Sequence, residues 1–504
     1  MNAHTVQARV TAPADPARPA PRRGVILIAA AAVALELAVS ARYGYARDEL
    51  YFLAAGKHLA FGYVDQPPLA PLLARITSFL TGDTLAGFRV LPALGLGVIV
   101  VITAELSRLL GSGRTGQLFA ALAAATCGEY LGAMHELTTT TPDFVFWAVT
   151  LLLVTKLLAS GDQRWWLAIG ACLGAAMEAK WDIAFLAVSL AAGFAVTDAR
   201  RLLRGRYFAA GLAIAVVIAA PDLIWQAAHG WPDFAVFRAL QDQAGHNRAV
   251  YWPAQVIFTG LALTPVWIAG LAWCLRSEQA RKFRPVAIAG ATAIVIQFAL
   301  GGKAYYPGGA YSFLLAAGCV PLERWLAASG RKTAVTAAAM LASAALILPA
   351  ALPILPARTL HSIPLQKINY DLGETIAWPR EVDLIATEYH ALPGPEQART
   401  TILAGNYGEA GAIARYGPQF GLPAPFSGAN NFWLWGPPPA ADTNAIAINV
   451  SPALLRHYYA HVRLVATYWN GLGVSDDEQG AEVYLATGLR EPWTGAWPAF
   501  SDFS

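Results

Sequence analysis

Asp48 and Glu49 stand side by side a few residues beyond the first long apolar run. A carboxylate placed where the chain leaves a membrane is a natural base for taking the proton of an acceptor hydroxyl as it attacks a sugar's anomeric carbon. Neighbours on a helix point about 100° apart, so the two acids cannot address one atom equally well. One could act as the base while the other holds local structure or a second substrate. The pair would equally suit an ordinary solvated interface. A third acid, Asp143, sits in "TTTTPDFVF". Its four threonines and proline read as a helix start, and its position allows convergence with Asp48.

Lys180 with Asp182, and Lys303 with Tyr305 and Tyr306, mark two tight turns. Cations and aromatic residues at such places often only snorkel or belt the interface. In a site they would hold a phosphate, lysine supplying charge and tyrosine a hydrogen bond. His229, His246 and Arg248 lie in a further loop, and with His58 they could touch phosphate or sugar. No His–acid spacing argues for a metal, and no glycine-rich nucleotide loop or serine-nucleophile elbow occurs.

These residues need a scaffold, and composition says what kind. The chain has 504 residues, is 56% hydrophobic, carries 14% charged residues and has a mean hydropathy of +0.43. That is too little charge to cover a soluble surface of this size, and apolar runs long enough to cross about 30 Å of hydrocarbon recur over the first two thirds. A net charge of +3, with the basic residues in short loops rather than one stripe, excludes a nucleic-acid partner. All four cysteines (Cys127, Cys172, Cys274 and Cys319) fall inside apolar runs and read as small buried hydrophobes.

The expected spans are 24–41, 86–104, 117–133, 144–158, 166–179, 182–197, 208–225, 254–274, 285–300, 310–322 and 333–353, about eleven helices. Residues 1–23, rich in Pro, Ala and Arg, are expected to form a disordered cytosolic tail, and the span after them an anchor rather than a cleaved signal. Every second loop is then basic, as the positive-inside rule asks: Arg108 and Arg114; Lys156 and Arg164; Arg200 to Arg206; Arg276 to Arg284; Arg324 to Lys332. An odd number of spans puts the C-terminal part outside. The long first outer loop, 42–85, has the spacing of amphipathic helices lying on the membrane. Beyond Pro353 the composition shifts. Strands at Thr401–Ala404, Ala445–Val450 and near Glu482–Ala486 alternate with helical "EAGAIARYG" and "SPALLRHYYAHV", and "GANNFWLWGPPP" reads as a loop. The expected organisation is a membrane domain over 24–353 and a small α/β domain over 354–504.

The run "RDELYFLAAGKHLAFGYVDQPPLAPLLARI" resembles the first outer loop of bacterial family 39 glycosyltransferases, relatives of protein O-mannosyltransferases and of the aminoarabinose transferase of lipid A. "TPDFVFW", "AKWDIAFL", "LIWQAAHGWPDFAVFRAL", "KAYYPGGAYSFLLAAG", "NYGEAGAIARYG" and "LWGP" follow in family order, spanning most of Arg47 to Pro437. The resemblance implies a GT-C fold in a bacterial inner membrane, with a polyprenyl-phosphate sugar entering from the lipid. The sugar would pass with inversion to a cell-envelope acceptor (glycolipid, polysaccharide or protein) on the outer face, with no cofactor or metal. It makes Asp48, with Glu49, the base or acceptor-binding acid, Asp143 the second outer acid, and Lys180, Lys303, Tyr305 and Tyr306 contacts of the lipid phosphate. His58, Asp65, Gln66, His229 and Arg248 become candidates for substrate binding. The chain lacks the β-trefoil domain of eukaryotic protein mannosyltransferases. Two rival readings are a multi-span transporter or flippase, suggested by intramembrane acids such as Glu36, and a non-catalytic membrane scaffold. The transporter would need inverted repeats and charge at mid-membrane, whereas the charged clusters here lie toward one face.

Overall fold

A computed structural model describes residues 21–503. The expected tail falls largely outside them, and Arg22 and Arg23 already belong to the first helix, Arg22–Val39. Among the described residues, five helices are long and apolar enough to cross a membrane: Leu85–Leu109, Thr140–Ser160, Arg206–Ala228, Glu278–Leu300 and Gly330–Ala351. A sixth crossing is possible if Ala244–Thr259 and Thr264–Arg276, bent by 100°, act as one. The expected span 254–274 straddles that bend. Gly260, at φ +104°, takes a backbone conformation that side chains resist, and Pro265 opens the next helix. The expected span 117–133 likewise breaks into Arg114–Ala125 and Gly128–Ala133. Shorter apolar helices run over Leu69–Thr81, Trp165–Met177 and Ile183–Ala195. The apolar runs of the sequence are continuous where these helices are not.

Small residues set the closest helix contacts. A Cβ added at Gly170 would lie 1.9 Å from the Gly211 carbonyl oxygen, and one at Gly270 2.2 Å from that of Leu314. Backbones this close are how apolar helices gain contact when lipid is as apolar as their side chains.

Residues 42–85 carry two helices with different fates. Leu69–Thr81 is amphipathic as expected, with Leu72, Ile76, Phe79 and Leu80 exposed and Ala70, Ala74 and Thr77 buried. Arg47–Ala55 does not lie on a surface, because every residue from Glu49 to Ala55 is buried. It is covered by the helix Tyr407–Tyr416 of the C-terminal part. Gly408 and Gly411 make the fit: a Cβ on the first would meet Arg47 Cγ at 2.5 Å, and one on the second would meet the Leu50 backbone at 2.8 Å.

The C-terminal part is α/β, with five strands: β1 (Thr400–Ala404), β2 (Pro425–Ser427), β3 (Asn444–Ile448), β4 (Tyr459–Thr467) and β5 (Glu482–Leu489). Their order is β2-β1-β3-β5-β4, with β1 parallel to β2 and β3, and β5 antiparallel to β3 and β4. Three of the strands were expected. "SPALLRHYYAHV" is helical only over Pro452–Tyr458, and β4 begins at the next tyrosine. "GANNFWLWGPPP" contains a short helix, Asn430–Leu434. In both places the element changes within a few residues, too few for a period to register. An Asn406–Glu409 capping box fixes the start of Tyr407–Tyr416.

Candidate functional site

Asp48 and Glu49 occupy the first turn of the helix Arg47–Ala55 and part ways there. Glu49 is fully buried and its acceptor positions are filled. Arg89 donates Nε to Oε1 at 3.0 Å and a terminal nitrogen to Oε2 at 2.7 Å, while the backbone N–H groups of Leu137 and Ala46 donate at 3.1 and 2.9 Å. Its carboxylate is thus engaged by structural partners, which leaves Asp48 the freer acid of the pair. Arg89 also holds the Ser40 and Gly44 carbonyls and contacts His135 Nε2 at 3.0 Å. His135 Nδ1 reaches Glu36 at 3.1 Å. Glu36 is thus tied into the framework behind the Asp48 helix.

Asp48 is half-buried and accepts a hydrogen bond from the Tyr407 hydroxyl at 3.1 Å. Asp371 is reached by solvent yet densely surrounded by protein, the condition of a side chain lining a recess. Its carboxyl is pushed up to about 6 by burial and then by Asp48, with Lys303 pulling the other way. The Tyr305 hydroxyl is pushed upward by burial, then by Asp371 and Asp48. Asp371 therefore lies within electrostatic range of Asp48, Lys303 and Tyr305. Glu136, buried and pushed upward by that burial, also feels Asp371, Glu49 and Asp48.

Lys180 joins from the next turn. Its ammonium lies 4.5 Å from the Tyr306 ring centre and 5.3 Å from that of Tyr305, and it donates to Thr140 Oγ1 at 3.2 Å. Asp143, in the first turn of Thr140–Ser160, accepts from Trp147 Nε1 at 3.1 Å; its Oδ2 is buried with no partner among the described residues. Asp182 is in the same state, Oδ1 held by Gln297 and Oδ2 unpartnered. Neither Lys180 nor Lys303 forms an ion pair among the described residues. Two lysines outside any ion pair among the described residues leave positive charge available to an anion.

The remaining candidates divide. Asp65 accepts from the Tyr51 hydroxyl at 2.9 Å and from Asn430 Nδ2 at 3.1 Å, and burial pushes it up to about 7. Gln66 is buried with Nε2 unpartnered among the described residues. His58 is exposed and stacks on Trp435 at 4.4 Å. His229 and Arg248 do not join this group through any hydrogen bond. His229 bonds and stacks on its own helix at Trp225, and Arg248 donates to the Ala299 carbonyl. Their loop was legible, but whether it turned toward Asp48 was not. The residues that sequence reasoning missed are Tyr407, Asp371 and Glu136. "NYGEAGAIARYG" was singled out without its tyrosine, and no local signal marks the others.

Residues 65–225 match the family model of dolichyl-phosphate-mannose-protein mannosyltransferases. No curated protein gives a significant match. Among solved structures, the crystal structure of ArnT from Cupriavidus metallidurans bound to undecaprenyl phosphate superposes with a TM-score of 0.59 at 16% identity, covering 92% of this chain and 98% of that one. The apo form of the same protein gives 0.55 at 14% identity with the same coverage. The fold of that enzyme extends over nearly the whole chain, and the family match falls on the segment carrying Asp65, Asp143 and Lys180. The chain thus has the fold of the ArnT structures over nearly its whole length, and its segment 65–225 carries the signature of the dolichyl-phosphate-mannose-protein mannosyltransferase family model.

Proposed function

We propose that this protein transfers a sugar from a polyprenyl-phosphate donor to a cell-envelope acceptor, with inversion, at the outer face of a bacterial inner membrane. The observation that carries the reading is Tyr305, which feels the half-buried Asp48 and packs 5.3 Å from the Lys180 ammonium, while Lys180 and Lys303 have no carboxylate partner among the described residues. Asp48 takes the acceptor's hydroxyl proton as that oxygen bonds to the anomeric carbon. The bond from that carbon to the phosphate oxygen breaks, and polyprenyl phosphate leaves with the electron pair. Phosphate already bears negative charge well, so the site must supply position, one base and cations for the leaving group. Lys303 and Lys180, flanked by Tyr305 and Tyr306, are suited to the last task. Asp143, Asp182, Asp65 and Gln66 bear on the sugar, the unpartnered oxygens of Asp143 and Asp182 accepting from its hydroxyls and Gln66 Nε2 donating to them. The undecaprenyl phosphate bound by the ArnT relative supports this donor class. The apolar helices supply a groove for the prenyl tail.

Lys303→Ala should weaken polyprenyl-phosphate binding by about 10–100-fold, the worth of a charge-assisted contact, with a parallel fall in transfer. Binding to protein in nanodiscs measures this, and unchanged donor affinity would remove Lys303 from the donor site. The basic loops support a membrane domain over 24–353 that carries 354–504 on the outer side. A reporter fused to the C-terminus should be active outside the cytosol; activity confined to the cytosol would reverse the orientation. The transporter reading loses its motive, because Glu36 is engaged by His135 in a framework behind Asp48.

A further inference from the structure

We infer that Tyr407, on the first long helix after β1 in the C-terminal domain, is a positioning residue that aims Asp48 at the acceptor. The inference rests on the reading of Asp48 as the base.

An aspartate side chain has two freely turning bonds, and a base must point one oxygen at the proton it removes. The Tyr407 hydroxyl donates to Asp48 Oδ1 at 3.1 Å, the one hydrogen bond made by that carboxylate among the described residues. It fixes Oδ1 and leaves Oδ2 for an incoming hydroxyl. Burial, and then Asp48 itself, hold the phenol's proton in place, so it remains a donor at any working pH.

Tyr407 is itself held from several sides. Its ring lies 5.1 Å from that of Tyr51 and 5.8 Å from the Arg47 guanidinium. Arg47 is anchored by Glu374 at 2.6 Å, Glu478 at 2.8 Å and Asp477 at 3.1 Å, all from the C-terminal part. The capping box at Asn406 fixes the backbone one residue earlier, and Gly408 and Gly411 let the helix approach Arg47–Ala55 closely enough for the hydroxyl to reach. A second clasp holds the same domain to the loop after that helix, where Asn431 Oδ1 accepts from Val64 N at 2.6 Å. On this account the C-terminal domain is part of the catalytic centre and supplies the group that orients the base.

The test is a double-mutant cycle on the full-length protein in nanodiscs, with polyprenyl-linked sugar turnover and polyprenyl-phosphate binding as readouts. Tyr407→Phe keeps the ring and its packing and should lower kcat about 10–100-fold, the range of a hydrogen bond to a charged group, with donor KM and binding unchanged. In an Asp48→Asn background the same change should cost less than about 2-fold, because a residue acting through another is not additive with it. Tyr407→His, which retains a ring donor, should recover part of the loss. Full kcat in Tyr407→Phe overturns the inference, as does an equal loss in both backgrounds, which is the result of a merely structural role. If Asp48→Asn alone keeps full turnover, the assignment of the base fails and the inference with it. If Asp48→Asn is inactive while Tyr407→Phe is unimpaired, only the inference fails.

Discussion

Asp48→Asn should lower sugar transfer by roughly 10²–10⁴-fold while leaving polyprenyl-phosphate binding intact. The change is nearly isosteric. Asparagine still accepts the Tyr407 hydrogen bond through its carbonyl oxygen, so the helix start and its contact with the C-terminal domain survive. What disappears is the ability to take a proton from the attacking hydroxyl. On the proposed reading the donor phosphate is held by Lys303, Lys180 and the tyrosines beside them, and none of these hydrogen-bonds or pairs with Asp48 among the described residues. The expected pattern is therefore a collapse in kcat with no loss of donor affinity. Turnover of the Asn protein at the wild-type rate would remove Asp48 from the mechanism while leaving the fold assignment untouched.

The second large effect is on stability and falls on Arg89. Arg89 is 1% exposed and Glu49 0%, and they meet in a bidentate pair. A buried pair adds little net stability when intact, because both ions have lost their water. Removing one partner strands the other charge, which typically costs 3–5 kcal/mol. Arg89→Met should destabilise the protein by about that much, with the Ser40 and Gly44 carbonyls losing their donor as well. Adding Glu49→Gln should recover part of the loss, since a neutral amide is cheaper to bury than an unpaired carboxylate. Thermal melting in detergent measures both. A melting temperature for Arg89→Met equal to wild type would show that the pair is not what holds the Asp48 helix.

The parts of this site that were legible in the sequence are the parts carried on short, distinctive segments. Asp48 and Glu49 stood together after an apolar run, and helical geometry alone implied that they would diverge. Which of them diverged into structure depended on Arg89, 40 positions away. Nothing about an arginine at the start of an apolar helix announces such a partner. Lys180, Tyr305 and Tyr306 were recognisable as an interfacial set, and their mutual contact follows from two turns that the sequence does not relate. Tyr407 lies 359 positions from Asp48, and only the docking of the C-terminal domain brings them together. The α/β character of that domain was legible from its strongest strands. β2, three residues long, and β4, which starts immediately after a helix, were below the resolution of any periodic signal.

The short apolar helices carry a consequence for the bilayer. Trp165–Met177 and Ile183–Ala195 are 13 residues each, a rise of about 20 Å against a hydrocarbon layer of about 30 Å. Val188 remains exposed along the second of them, and Val196 just past its end. Lipid meeting that face must compress to match, at a cost of fractions of a kcal/mol per ångström of mismatch. A compressed leaflet lowers the depth through which a charged headgroup on a long prenyl chain has to move. If the proposed lipid-linked donor is the substrate, the protein shapes the solvent from which it arrives, and turnover should vary with the acyl-chain length of the surrounding membrane.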